Sequence, residues 1–134
     1  MRARVLLADD HQGVAVRLKA LLEEAFTVVG MVQDGSALLE AAAALAPDVI
    51  VADISMPGID GFTALKRLKR DWPDIHVILL TGYADPDLAS AALDAGAAGF
   101  VLKGNASVDL VAAVRTALTG ATFVSATLAG PARE

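Results

Sequence analysis

The chain has 134 residues, of which 55% are hydrophobic, and this length suits a single domain with a core of its own. It contains no cysteine, which excludes disulfide frameworks, thiolate zinc sites and cysteine nucleophiles. The formal net charge of -5 argues against nucleic-acid binding by this chain alone, because such binding depends on clustered Lys and Arg that neutralise phosphates.

Short apolar runs alternate along the chain with stretches of helical periodicity. The runs are rich in β-branched residues and do not alternate with polar ones, which is typical of strands buried on both faces. They lie at residues 5–8, 28–32, 49–52, 77–80 and 99–102. Apolar residues recur at helical spacing after each run, as Val14, Leu18 and Leu21 do after the first. The alternation predicts an α/β fold, a doubly wound parallel sheet of five strands covered by five helices.

One domain accounts for nearly the whole chain. Pro47 and Pro73 are placed to end the second and third helices. We expect the domain to cover residues 1–120, and residues 121–134 to be a C-terminal tail or the start of a linker to a domain outside this sequence. No bilayer-length apolar run and no signal-peptide-like segment is visible, so we expect a cytoplasmic protein without membrane contact.

Polar residues directly follow four of the five predicted strands. In open parallel α/β sheets, ligands bind outside the carboxyl ends of the strands. The residues at these ends are three carboxylates, a hydroxyl and an ammonium, namely Asp9, Asp10, Asp53, Thr81 and Lys103. Each of them alone has an ordinary structural explanation as a helix cap, a turn residue or a surface charge. Their joint appearance at one edge of the sheet favours a functional site.

Three neighbouring carboxylates require a compensating cation. A pair of like charges at ~4 Å costs about 4 kcal/mol at an effective dielectric constant near 20. Lys103 can offset one charge and a divalent cation two, and Mg²⁺, which takes few carboxylates and keeps several waters, fits better than Ca²⁺. The two histidines, His11 and His76, are not expected to form the pair that zinc would require, because His76 should lie at the far end of the fourth strand.

Four segments of the sequence resemble the receiver domain of two-component response regulators. They are LADDH at 7–11, VADISMPGIDG at 51–61, LTGY at 80–83 and GFVLK at 99–103. The resemblance covers about residues 4–119. Within the family, the sequence is most similar to the NarL/FixJ subgroup. Receivers of this subgroup usually precede a DNA-binding helix-turn-helix output domain, which this sequence does not contain. The resemblance implies the flavodoxin-like receiver fold with strand order 2-1-3-4-5.

The resemblance also implies a role for each residue at the strand ends. Asp53 would accept a phosphoryl group from a phosphohistidine on a sensor histidine kinase, or from a small donor such as acetyl phosphate. Asp10, Asp53 and the backbone carbonyl of Ser55 would bind Mg²⁺, and Asp9 would hold one of its waters. Lys103 would neutralise charge on the transferred group. The chain would then be a signalling phosphoacceptor, with no enzymatic activity beyond its own phosphotransfer and autodephosphorylation.

A conformational switch is the second implication of the resemblance. Thr81 would turn toward phosphorylated Asp53, and Phe100 would turn into the space that Thr81 leaves. This would reshape the face formed by the fourth helix, fifth strand and fifth helix, a candidate surface for a homodimer or another partner that controls an output such as transcription. Ser55 and Tyr83 would tune how water reaches the phosphoryl group and thereby the rate of its hydrolysis.

One departure from the family pattern keeps alternatives open. Gly104 stands where the family often has proline. Since proline is what usually permits a cis peptide bond, we expect either a trans link or a strained loop here, with the side chain of Lys103 less firmly positioned.

A phosphorylation-independent scaffold with a receiver fold is one alternative function. A haloacid-dehalogenase-type phosphohydrolase is another, but it requires a second acid where this chain has Ser55. A dinucleotide-binding domain would require a Gly-x-Gly-x-x-Gly motif after the first strand, which is lacking.

Overall fold

Six parallel strands form one sheet in the computed structural model, which describes residues 2–126. The strands are β1 (Arg4–Ala8), β2 (Thr27–Val32), β3 (Val49–Asp53), β4 (His76–Thr81), β5 (Gly99–Leu102) and β6 (Phe123–Val124). Their order across the sheet is β2-β1-β3-β4-β5-β6, and every neighbouring pair is parallel. The predicted α/β class and the order of the first five strands are therefore confirmed.

Five helices cover the two faces of the sheet. They are α1 (Gln12–Glu23), α2 (Gly35–Leu45), α3 (Gly61–Asp71), α4 (Pro86–Asp94) and α5 (Ala106–Leu118), and a short 3₁₀ turn (Lys103–Asn105) precedes α5. Side chains of α1 and α5 pack on one face, and those of α2, α3 and α4 pack on the other. Within residues 2–126, no helix is long and apolar enough to cross a membrane.

The central strands are apolar throughout because both of their faces lie against helices. All five residues of β3 are buried, and Val51 and Ile50 belong to the cores on opposite faces. Burying one such side chain contributes about 1.5–3 kcal/mol, so these short strands supply much of the stability of the domain. The parallel sheet could be predicted from the sequence because these strands are continuous apolar runs.

The sixth strand corrects the predicted count of five. Phe123 N–H donates to the carbonyl of Ala98 at 3.0 Å, and Ser125 N–H donates to the carbonyl of Phe100 at 3.0 Å, so this segment pairs with the outer edge of β5. A two-residue strand is too short to show a hydrophobic period, which is why the sequence did not indicate it. It lies in the segment 121–134 that we predicted as a tail or linker. The rest of that segment, residues 127–134, lies outside the described residues.

Candidate functional site

The carboxyl ends of four strands bring the predicted site residues to one edge of the sheet. Asp53 and Thr81 are the last residues of β3 and β4, Lys103 directly follows β5, and Asp9 directly follows β1. Thr81 pairs in register with Leu102, so the ends of β4 and β5 are level. The parallel arrangement of the strands therefore places all four residues at one edge of the sheet, as predicted from their positions in sequence.

An ammonium group lies between two buried carboxylates at this edge. The Nζ of Lys103 donates to Asp53 Oδ2 at 2.8 Å and lies 3.0 Å from Asp9 Oδ2. Asp9 and Asp53 are only 1% and 3% exposed. Burial by itself lowers the pKa of Lys103, but hydrogen bonds and charge from Asp53 and Asp9 outweigh it, and the pKa lies above its ordinary value. The ammonium therefore stays charged and neutralises part of the negative charge.

The position of the Lys103 side chain does not depend on a cis peptide bond. The described chain contains no cis peptide bond, so the link from Lys103 to Gly104 is trans, one of the two outcomes expected for a glycine at this position. The link leads directly into the 3₁₀ turn, and Lys103 still contacts both Asp9 and Asp53. The glycine at 104 is thus compatible with a lysine that reaches the carboxylates.

Three of the predicted metal ligands, Asp9, Asp10 and Asp53, form a compact donor set together with His11, which was not predicted as a ligand. Asp9, Asp10, His11 and Asp53 each offer one ligand atom, and these atoms all lie within 4.8 Å of one another. Asp9 Oδ2 is buried and faces the Lys103 ammonium at 3.0 Å. Carboxylate oxygens this close together are the donor chemistry that a hard divalent cation such as Mg²⁺ prefers.

Ser55 contacts the central carboxylate through its backbone. Its N–H donates to Asp53 Oδ1 at 3.1 Å, while Lys103 holds Asp53 Oδ2, so each oxygen of this carboxylate has a partner. A carboxylate held in this way has a defined orientation. That the Ser55 carbonyl also binds a metal stays a prediction.

Thr81 and Phe100 are buried, and the Thr81 hydroxyl bonds to the Tyr83 backbone rather than to Asp53. Both residues are 0% exposed. The Thr81 hydroxyl donates to the carbonyl of Tyr83 and accepts from the N–H of Tyr83, both at 3.2 Å. Phe100 packs in the core beneath α2, α3 and α4. Tyr83 is 79% exposed, so its ring lies in solvent.

A groove opens beside the carboxylates. Its volume is about 670 Å³, and its lining includes Asp10 and Thr81 together with the apolar side chains of Met56, Phe62 and Leu88. The groove runs between the loop that follows β3 and the loop that follows β4.

His11 is the site residue that sequence reasoning missed. Its Nδ1 lies 3.1 Å from Asp10 Oδ1 and 3.3 Å from Asp9 Oδ1. His11 and His76 do not form a zinc-binding pair, because His76 is the first residue of β4, at the opposite edge of the sheet. The available signal was its position directly after Asp9 and Asp10, in the same loop.

Comparison with known proteins points to one family. The family model for the response regulator receiver domain matches residues 5–115. The chain is 37% identical over 129 residues to the transcriptional regulatory protein LiaR of Bacillus subtilis, which covers 95% of this chain and 61% of that protein. The chain thus spans about three fifths of the length of this curated relative.

Two solved structures of RcsB are similar to this chain. The isolated receiver domain of RcsB from Salmonella enterica serovar Typhimurium, in the presence of phosphomimetic BeF3-, has a TM-score of 0.88 and 34% identity, with 96% of each chain covered. A structure of two RcsB dimers bound to two parallel DNAs has a TM-score of 0.87 and 34% identity, covering 96% of this chain and 66% of that chain.

Proposed function

Because this chain belongs to the family of response-regulator receiver domains, we propose that it accepts a phosphoryl group on Asp53 and thereby changes the surface that it offers to a partner. The family consists of signalling domains, and membership in it argues against the alternative function of a haloacid-dehalogenase-type hydrolase. The observation that carries the proposal is the contact between Lys103 and the buried carboxylate of Asp53 at 2.8 Å.

The arrangement around Asp53 suits in-line phosphoryl transfer. A carboxylate oxygen of Asp53 forms a bond to phosphorus while the bond between phosphorus and the donor nitrogen of a phosphohistidine breaks, and the leaving imidazole keeps the electron pair and takes up a proton. The Ser55 N–H orients the carboxylate, and the Lys103 ammonium stabilises charge on the transferred group. Such catalysis depends on positioning and electrostatics, which these fixed donors supply.

A divalent cation completes the proposal. Asp10, Asp53 and the Ser55 carbonyl would hold Mg²⁺, and Asp9 would hold one of its waters. When bound, Mg²⁺ would supply additional positive charge to the phosphoryl oxygens. The compact donor set supports this assignment.

The switch that we propose begins with the Thr81 hydroxyl. Phosphorylated Asp53 presents new acceptor oxygens, and the hydroxyl would exchange its bonds to the Tyr83 backbone for one to the phosphoryl group. Phe100 would then turn into the space that Thr81 vacates. Ser55 and Tyr83 would tune hydrolysis, with the exposed Tyr83 ring folding back over the site to exclude water.

The partners that we propose are a sensor histidine kinase and a second copy of the chain. The candidate homodimer face consists of α4, β5 and α5, and β6 occupies the outer edge of β5, so this face would also include β6. RcsB, which the chain resembles, forms dimers bound to DNA. DNA binding would belong to an output domain in a longer protein, since this chain spans about three fifths of its curated relative.

Phosphorylation can be tested by intact mass. Incubation with acetyl phosphate and Mg²⁺ should add one phosphoryl group, and Asp53→Asn or EDTA should prevent the addition. Asp48→Asn, a change of the same kind directly before β3, should leave the addition intact. Failure of both phosphorylation and beryllofluoride binding, with partner binding unaffected by Asp53→Asn, would favour the phosphorylation-independent scaffold.

A further inference from the structure

The imidazole of His11 lies among the carboxylates of the site. Its Nδ1 is 3.1 Å from Asp10 Oδ1, 3.3 Å from Asp9 Oδ1 and 3.7 Å from Asp53 Oδ2. One ring nitrogen thus approaches an oxygen of each of the three acids. None of the roles proposed above uses this nitrogen.

The backbone of His11 is held in place by two hydrogen bonds. Its N–H donates to Asp9 Oδ1 at 2.8 Å, and its carbonyl accepts from the N–H of Ala15 at 2.9 Å, in the first turn of α1. His11 is also the N-cap of α1, with extended φ and ψ of -96° and 99°. The start of the side chain is therefore fixed relative to the carboxylates. The side chain is 62% exposed, so the outer edge of the ring faces solvent.

The distances resemble those between ligands that share one metal ion. In a six-coordinate site with metal–ligand bonds of ~2.1 Å, neighbouring ligand atoms lie ~3.0 Å apart. Nδ1 lies 3.1 Å from Asp10 Oδ1 and 3.7 Å from Asp53 Oδ2, and these are the two acids assigned to direct metal binding. A single cation placed between them would contact the imidazole nitrogen and Asp10 Oδ1, and would share Asp53 Oδ2 with the ammonium of Lys103.

We propose that His11 is a nitrogen ligand of this metal site and shifts its selectivity toward transition-metal cations such as Mn²⁺ and Co²⁺. The inference rests on the proposed function, which requires a metal at these carboxylates. Mg²⁺ binds oxygen ligands and retains its waters, whereas an imidazole suits first-row transition metals. The carboxylates bind all of these ions, and the nitrogen of His11 distinguishes among them.

The test compares the same substitution at both histidines of the chain. His11→Gln removes the proposed ligand, and His76→Gln, at the opposite edge of the sheet, is the matched control. Binding of Mg²⁺ and Co²⁺ is measured by calorimetry at about pH 8, above the range in which histidine side chains usually titrate. Bound Mn²⁺ is measured by electron spin-echo spectroscopy, in which a directly bound imidazole gives a nitrogen modulation.

The expected result is a nitrogen modulation in the wild type and in His76→Gln that disappears in His11→Gln. Affinity for Co²⁺ should fall by about tenfold or more in His11→Gln, since even residues that only support a ligand are worth ~10–100-fold in metal affinity. Affinity for Mg²⁺ should fall much less.

Two results would overturn the role of His11 alone. Mn²⁺ that binds to the wild type without a nitrogen modulation, or with one that survives in His11→Gln, would show that the imidazole is not a ligand. A rise in affinity for both Mg²⁺ and Co²⁺ in His11→Gln would show that the ring competes with metals as an ion-pair partner. If no divalent cation binds to the wild type, the metal site of the proposed function fails as well, which is a distinguishable outcome.

Discussion

The hydroxyl of Ser125 donates a hydrogen bond of 2.7 Å to Asp109 Oδ2, which joins the segment after β6 to α5. The same hydroxyl oxygen accepts from the N–H of Leu102 at 3.1 Å, and Ser125 is 0% exposed. One buried side chain therefore links β6, the end of β5 and the first turns of α5. Leu102 immediately precedes Lys103, so this link lies beside the functional site.

We predict that Ser125→Ala lowers the free energy of unfolding by about 1–3 kcal/mol, because it leaves the N–H of Leu102 and the carboxylate of Asp109 without their partner. Urea unfolding would measure the change. Ser107→Ala, the same substitution at an exposed position in α5, should be nearly neutral. Equal stability of the two variants would contradict the structural role of Ser125.

The raised pKa of Lys103 should make the stability of the domain depend on pH. Because its pKa is raised above the ordinary value of 10.5 in the folded state, its contribution is fully present below that value and is lost as the pH rises through the higher folded-state value. Lys103→Met should therefore be less stable than the wild type at neutral pH, and the difference should narrow at alkaline pH. Lys66→Met is the control. A difference that stays constant with pH would contradict the ion pair as its source.

A larger residue at position 61 should displace Asp53, the proposed nucleophile. A Cβ at this position would collide with the carbonyl oxygen of Asp53 and lie 2.8 Å from the Cα of Ile54. Gly61→Ala should lower the free energy of unfolding by about 1–3 kcal/mol, since overpacking forces the backbone to shift, and it should slow phosphorylation of Asp53. Both are measurable, by urea unfolding and by intact mass after acetyl phosphate.

The control for Gly61 is Gly13→Ala. Gly13 lies in α1, and a Cβ there would meet no atom within 4 Å. This variant should be more stable than the wild type by about 0.5–1 kcal/mol, because alanine loses less conformational freedom in a helix. If both variants behave alike, the close approach of Gly61 to Asp53 does not limit the position of the nucleophile.

Removal of the Thr81 hydroxyl should block the conformational switch without preventing phosphorylation of Asp53. Thr81→Ala removes the hydroxyl that now bonds to the Tyr83 backbone, and Asp53 keeps its contacts to Lys103 and Ser55. Beryllofluoride should still bind, but the NMR signals of the Phe100 ring should shift much less than in the wild type. Thr116→Ala, at the far end of α5, should retain the full shift. A full shift in Thr81→Ala would exclude the hydroxyl as the trigger.

Sequence alone determined the features that depend on burial and chain order. Apolar runs at 5–8, 49–52, 77–80 and 99–102 predicted strands covered on both faces, because a parallel sheet between two helical layers leaves no solvent face on its central strands. Asp53, Thr81 and Lys103 were identifiable since parallel strands end at a common edge, and any polar residue directly after a strand lies there.

Tertiary structure decided what depends on long-range contacts. The two residues of β6 have no periodic pattern, and they form a strand because β5 offers a free edge and Ser125 finds partners in Leu102 and Asp109. The ring of His11 approaches Asp53, which lies 42 positions further along the chain, only because β1 and β3 are neighbours in the sheet. Side-chain direction follows from packing and hydrogen bonding among distant segments, and a local pattern of residue types does not contain it.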